Sequence, residues 1–136
     1  MKKTIILVLA LMLTVSALAE TPIETVTEWI DGGIGIGETV TSVTLEGGTL
    51  DITIDLGEYE ELYEGYSVEF ASDRASSITD AILENEDFDA EWDSIVIHFD
   101  GIGKIALSKE DIEYNDYGMR YLNVYDEDYQ PRIEVE

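Results

Sequence analysis

Leu50-Asp51-Ile52-Thr53-Ile54-Asp55-Leu56 alternates apolar and polar side chains without a break. A period of two sends successive side chains to opposite faces of a strand, so Leu50, Ile52, Ile54 and Leu56 line one face and Asp51, Thr53 and Asp55 the other. Upstream, Val43 and Leu45 precede Gly47-Gly48, a dipeptide suited to a tight turn, and residues Thr39 to Leu56 therefore read as a β-hairpin. Its apolar face needs a cover.

A cover lies further along the chain. Val68, Ala71, Ala75, Ile78 and Ile82 recur at helical spacing and predict an amphipathic helix from about Ser67 to Asn85. Ser67 is placed to cap it, Glu69 falls in the first turn, and Asp80, Glu84, Ser76 and Ser77 lie off the stripe, toward water. The acidic, tyrosine-rich piece between, Gly57 to Tyr66, reads as a loop crossing the sheet edge. After the helix, Ile95, Ile97 and Phe99 share one strand face, with Val96 and His98 on the other. Asp100-Gly101 marks a turn, and Lys104-Ile105-Ala106-Leu107 returns as the second strand of another hairpin. Ile112 and Tyr121-Leu122-Asn123-Val124-Tyr125 predict a last, edge strand. On the N-terminal side, Ile23, Val26, Trp29 and Ile30 predict a short helix, and Gly32 to Gly37 a flexible connector. The glycine spacing is not a dinucleotide fingerprint, and no Lys or Arg stands nearby to hold phosphate. The expected fold is α+β: an antiparallel sheet of two hairpins, with one main helix on a face, in the order ββ-α-ββ(β).

Lys2 and Lys3, the apolar run from Ile5 to Val15, and Ala17-Leu18-Ala19 have the pattern of a secretory signal peptide cleaved after Ala19. The organisation expected is a signal peptide over 1–19, an N-terminal segment with its glycine connector over 20–38, and one α+β domain over 39–136. The product is expected to be secreted or otherwise extracytoplasmic, without membrane insertion after cleavage, since the apolar run is shorter than the ~20 residues of a spanning helix. No Cys follows the cleavage site to carry a lipid, and none occurs elsewhere. Stability must then come from apolar burial without disulfides.

The chain carries 31 acidic and seven basic residues, a formal charge of −24. Losing Lys2 and Lys3 with the signal leaves Arg74, Lys104, Lys109, Arg120 and Arg132, and a charge of about −26. Such a surface repels phosphate, which argues against nucleic acid and anionic lipid and favours a basic protein or a cationic envelope polymer.

Candidate chemistry centres on Glu86 to Asp93, where Asp87, Asp89, Glu91 and Asp93 alternate as the oxygen ligands of a Ca²⁺ loop do. The fit is poor, since Trp92 takes the place of the loop's glycine and His98 that of its bidentate Glu. His98 is the one histidine. Ser94 and Asp100 share its strand face, but Ser94 lies about 13 Å from His98 along the strand, too far for a Ser-His-Asp relay. With this many carboxylates, some pair falls at any separation, so a glycosidase pair carries no signal. No cofactor is implied. Tyr114, Tyr117, Tyr121, Tyr125 and Tyr129 give the C-terminal part an aromatic, acidic character, suited either to a contact surface or to one side of an edge strand.

The stretch from Asp73 to Glu84, with Trp92-Asp93-Ser94-Ile95 and Gly103-Lys104-Ile105, resembles a small exported domain of unknown function carried by Gram-positive anaerobes. The resemblance spans roughly residues 40–122 and is closest at Arg74, Asp80, Trp92, Lys104 and Gly118-Met119-Arg120-Tyr121. It implies the order hairpin, helix, hairpin and an exported setting, but no activity and hence no catalytic residue. Arg74 or Lys104 would pair with Asp80 or Asp93, and Trp92 would close the end of the helix–sheet core. The functional expectation is a non-enzymatic exported accessory or interaction domain. The alternative is a small carboxylate- or metal-dependent hydrolase, or a Ca²⁺-binding module built on the 86–93 turn.

Overall fold

A computed structural model of the chain describes residues 20–57 and 65–136. The expected signal peptide and most of the loop expected between Gly57 and Tyr66 lie outside the described residues. In chain order the elements are α1 (Ile23–Asp31), β1 (Thr39–Glu46), β2 (Thr49–Asp55), α2 (Ser67–Leu83), a 3₁₀ turn (Glu86–Glu91), β3 (Ser94–Phe99), β4 (Gly103–Ser108), β5 (Ile112–Tyr114), β6 (Arg120–Leu122) and β7 (Glu134–Val135). The architecture is α+β, with a five-stranded sheet in the order β1-β2-β3-β4-β7 and a separate β5-β6 pair.

Both expected hairpins form. Val43 pairs with Ile52 and Leu45 with Leu50 across the first, and Ile95 pairs with Leu107 and Ile97 with Ile105 across the second. Gly47 and Gly48 both have positive φ, 57° and 79°, as the two-residue turn requires. The sheet is not wholly antiparallel, however, because β2 and β3 run parallel, with Leu50 beside Ile95, Ile52 beside Ile97 and Ile54 beside Phe99. Helix length explains this. The 17 residues of α2 reach about 25 Å at 1.5 Å per residue. The seven of β2 reach about 23 Å. The helix thus carries the chain back to the end where β2 began, and β3 starts in the same direction. The Gly48 carbonyl accepts N–H bonds from Asp93 (2.6 Å) and Ser94 (3.2 Å), which fixes that start.

Two further expectations are corrected. Residues 121–125 do not supply the sheet's last strand: β6 pairs with β5, and the edge is β7, bonded to β4 through Gly103 and Lys104. A Cβ at Gly103 would collide with the Glu134 carbonyl, so glycine admits β7 there. Nor does one helix cover the sheet alone. Val26 and Ile30 of α1 join Ala71, Ala75, Ile78 and Ile82 of α2, the inward rows of β2 to β4, and Leu122 and Val124, in one apolar core. Trp92 and Phe88 close its end, both about 1 % exposed. The polar helix residues buried with them are satisfied locally, Ser72 Oγ donating to the Val68 carbonyl and Thr79 Oγ1 to that of Ala75, each at 2.9 Å.

Ser67 does not cap α2. It is the first helical residue, and Tyr66 stands at the cap position without a side-chain bond. The glycine-rich segment is no loose connector either. A Cβ on Gly33 would come within 3.0 Å of the Ser77 carbonyl and 3.2 Å of Ile78 Cα, so the segment lies directly on the α2 backbone. Glu38, its side chain fully buried, secures it by accepting from Arg74 Nε at 2.6 Å and from the Gly35 N–H. Arg74 therefore pairs with Glu38 rather than with Asp80 or Asp93, and its guanidinium lies 5.1 Å from the Phe70 ring centre. Lys104 is exposed. Among the described residues no helix is long and apolar enough to cross a membrane.

Candidate functional site

Ser76, Asp80 and Glu84 are spaced four apart along α2 and so form a row on its outer flank. Facing them is the β5–β6 pair, joined by a turn that the Asn115 side chain braces: Oδ1 accepts the N–H groups of Tyr117 (2.9 Å) and Met119 (3.0 Å). Gly118, with φ 76°, completes that turn. Between the two elements lies a cleft of about 680 Å³. One wall is the helix row with Leu83 and Glu86, and the other is Tyr114, Met119, Arg120 and Tyr121. Tyr114 is 69 % exposed, Met119 64 % and Tyr117, at the tip, 90 %. Large apolar groups left in water side by side mark a contact surface more often than scattered single ones do.

Arg120 holds the two walls together. Its Nε and Nη2 donate to the Leu83 carbonyl at 3.1 and 2.6 Å, satisfying an oxygen at the C-terminal end of α2. Nη2 also donates to Asp89 Oδ1 at 2.9 Å, and Nη1 donates to Oδ2. The hydrogen-bonded Asp89 carboxylate keeps the guanidinium still more firmly charged than usual. No basic residue occupies the last turn of α2, so Arg120 supplies the missing positive charge at its negative end.

Two of the cleft's own carboxylates, Asp80 and Glu84, have no such partner among the described residues. Among the described residues, ion pairs join Arg74 to Glu38, Arg120 to Asp89 and Arg132 to Asp111, His98 stands 3.3 Å from Asp51, and none of these pairs reaches Asp80 or Glu84, whereas Glu86 lies within the field of Arg120. Desolvation and the neighbouring Glu84 charge raise the Asp80 pKa above its usual value. Tyr121 hydroxyl donates to Glu113 Oε2 at 2.9 Å, and that bond raises the phenol's pKa.

The four carboxylates of the acidic turn are not brought together. Asp89 is bound to Arg120, while Glu91 accepts the Thr21 N–H (2.8 Å) and hydroxyl (2.6 Å), pinning the segment before α1. Asp87 and Asp93 are exposed, Asp93 beside Gly48. Among the described residues no three His, Asp or Glu side chains converge as metal ligands would. His98 Nε2 lies 3.3 Å from Asp51 Oδ2, across the β2–β3 pair rather than along its own strand, and Asp100 is an exposed turn residue. The tyrosines do not form one side of an edge strand: Tyr114 and Tyr121 sit on β5 and β6, Tyr117 and Tyr129 on turns, and Tyr125 in an isolated bridge to Pro131. Sequence reasoning missed the cleft, since its walls come from segments some thirty residues apart. The basic-free last turn of α2 was a readable signal that a cation arrives from elsewhere.

Comparison with protein-family models, with curated proteins and with solved structures finds no match.

Proposed function

We propose that this chain is a non-enzymatic interaction domain acting outside the cytoplasm, with a cationic partner such as a basic protein or an envelope polymer. The observation that carries the reading is how the few cations are used. Arg74, Arg120 and Arg132 are committed to internal ion pairs, and Lys109 donates to the Asp89 carbonyl and lies 5.3 Å from the Trp92 ring centre. Of the basic residues in the described part, Lys104 alone is exposed, against a formal charge of −24 for the chain. The charge offered to a partner is thus nearly all carboxylate, and a field of one sign steers oppositely charged molecules toward it. The exported setting rests on the signal-like pattern of residues 1–19 and on the sequence resemblance described above. Pull-down with the purified domain at about 20 mM and about 150 mM salt tests the reading, because screening tightens from roughly 20 Å to 8 Å over that range. Basic partners retained only at low salt are the expected result. Partners whose retention ignores salt would refute it.

A further inference from the structure

We infer that the cleft between α2 and the β5–β6 pair is the docking site for an extended peptide segment in which Lys or Arg alternates with apolar residues. This inference rests on the interaction-domain reading above and gives it a place and a ligand class. Two properties of the cleft define the occupant. The helix wall presents Asp80 and Glu84 four residues apart, and among the described residues no ion pair reaches either; Glu86 lies beyond them, within the field of Arg120. The hairpin wall presents Tyr114 and Met119 largely in water, with Tyr117 beside them. Arg120, the cation lining the cleft, is already divided between the Leu83 carbonyl and Asp89, so it does not neutralise the helix wall.

A bare divalent ion would use the carboxylates alone, and these do not converge around a point. A polycation without apolar groups would leave Tyr114 and Met119 exposed. A strand whose cationic side chains reach Asp80 and Glu84 while its apolar side chains cover Tyr114 and Met119 uses both walls at once, and alternation in an extended chain delivers the two kinds to opposite sides. Asp80 fits the same picture, since desolvation and Glu84 already disfavour its charge and an arriving cation relieves both.

The test measures fluorescence anisotropy of a labelled heptapeptide of alternating lysine and leucine, with heptalysine as the charge-only probe, on the full chain. The wild-type domain is expected to bind the alternating peptide about tenfold more tightly than heptalysine, a margin typical of a few well-placed apolar contacts. Tyr114→Ser with Met119→Ser is expected to abolish that margin while leaving heptalysine binding unchanged. Glu84→Lys is expected to weaken both peptides more than Glu46→Lys, which makes the same charge change at the far end of the first hairpin. Equal weakening by Glu84→Lys and Glu46→Lys, or no preference for the alternating peptide, would overturn the docking cleft while leaving the acidic interaction domain standing. Failure of both peptides to bind at low salt would overturn both readings.

Discussion

Arg120 gives two hydrogen bonds to a single acceptor, the carbonyl oxygen of Leu83, from a position 37 residues further along the chain. That contact turns the end of α2 into an anchor for the β5–β6 pair, and with Asp89 it joins three elements through one side chain whose exposure is 16 %. Replacing Arg120 by Ala strands the Leu83 oxygen and leaves Asp89 without its cation, so a loss of about 2–4 kcal/mol is expected. Arg120→Lys keeps the charge but not the planar fork, and should recover less than half of that loss. Urea melts of the three proteins measure it. A loss below about 1 kcal/mol for the Ala variant would mean that the hairpin is held by its apolar contacts alone.

The helix face is tested by a pair of substitutions. Ile78 is fully buried in the shared core, and Ile78→Ala should cost about 2–5 kcal/mol. Glu84 is exposed on the opposite flank, and Glu84→Ala should stay within about 0.5 kcal/mol of the parent. Similar losses for both would place the core on the wrong side of α2.

Gly33 is required by proximity rather than by dihedral angle. A methyl group there meets the Ser77 carbonyl at 3.0 Å and the Ile78 backbone at 3.2 to 3.3 Å, and a backbone cannot yield as a side chain does. Gly33→Ala should therefore destabilise by about 1–3 kcal/mol. Helix propensity gives no reason for a loss at this loop position, so thermal melts isolate the close approach. An unchanged melting temperature would contradict it.

Asp111 supplies a pH dependence. Burial alone would raise its pKa, but the Ser108 N–H bond at 2.8 Å and Arg132 outweigh burial and hold the carboxyl below its usual 3.8. A folded-state value below the unfolded one stabilises the fold in full above about pH 4 and loses that contribution as pH falls through the folded value. Asp111→Asn should cost about 1–2 kcal/mol at neutral pH. The gap from wild type should begin to narrow below about pH 3.8 and close as pH falls through the lower folded value, where the carboxylate becomes protonated as well. A gap that fails to narrow below pH 3.8 would remove the carboxylate from the account.

What the sequence made legible is what local periodicity determines. Leu50 to Leu56, Ile95 to Phe99 and the Ala71-to-Ile82 stripe announce their faces because neighbours in sequence are neighbours in the element, and those residues are the ones found in the core. The parallel pairing of β2 with β3 depends on where α2 delivers the chain, a property of lengths that no window of residues contains. Partner choice is equally nonlocal. Arg74 had 31 acidic residues to meet, and the one it meets, Glu38, lies 36 positions away in a loop folded onto the helix by its glycines. Those glycines look like freedom when read alone; set against Ser77 and Ile78 they are a fit. The cleft escaped for the same reason, its carboxylates and its tyrosines belonging to different parts of the chain.

The most direct test of the account is amide NMR mapping of the lysine–leucine heptapeptide on the isotope-labelled domain. Perturbations gathered on residues 76–86 and 114–121, weakening as salt rises, are the predicted result. Perturbations concentrated instead on the solvent-facing side of the sheet, around Asp51, Thr53, Val96 and His98, would contradict it.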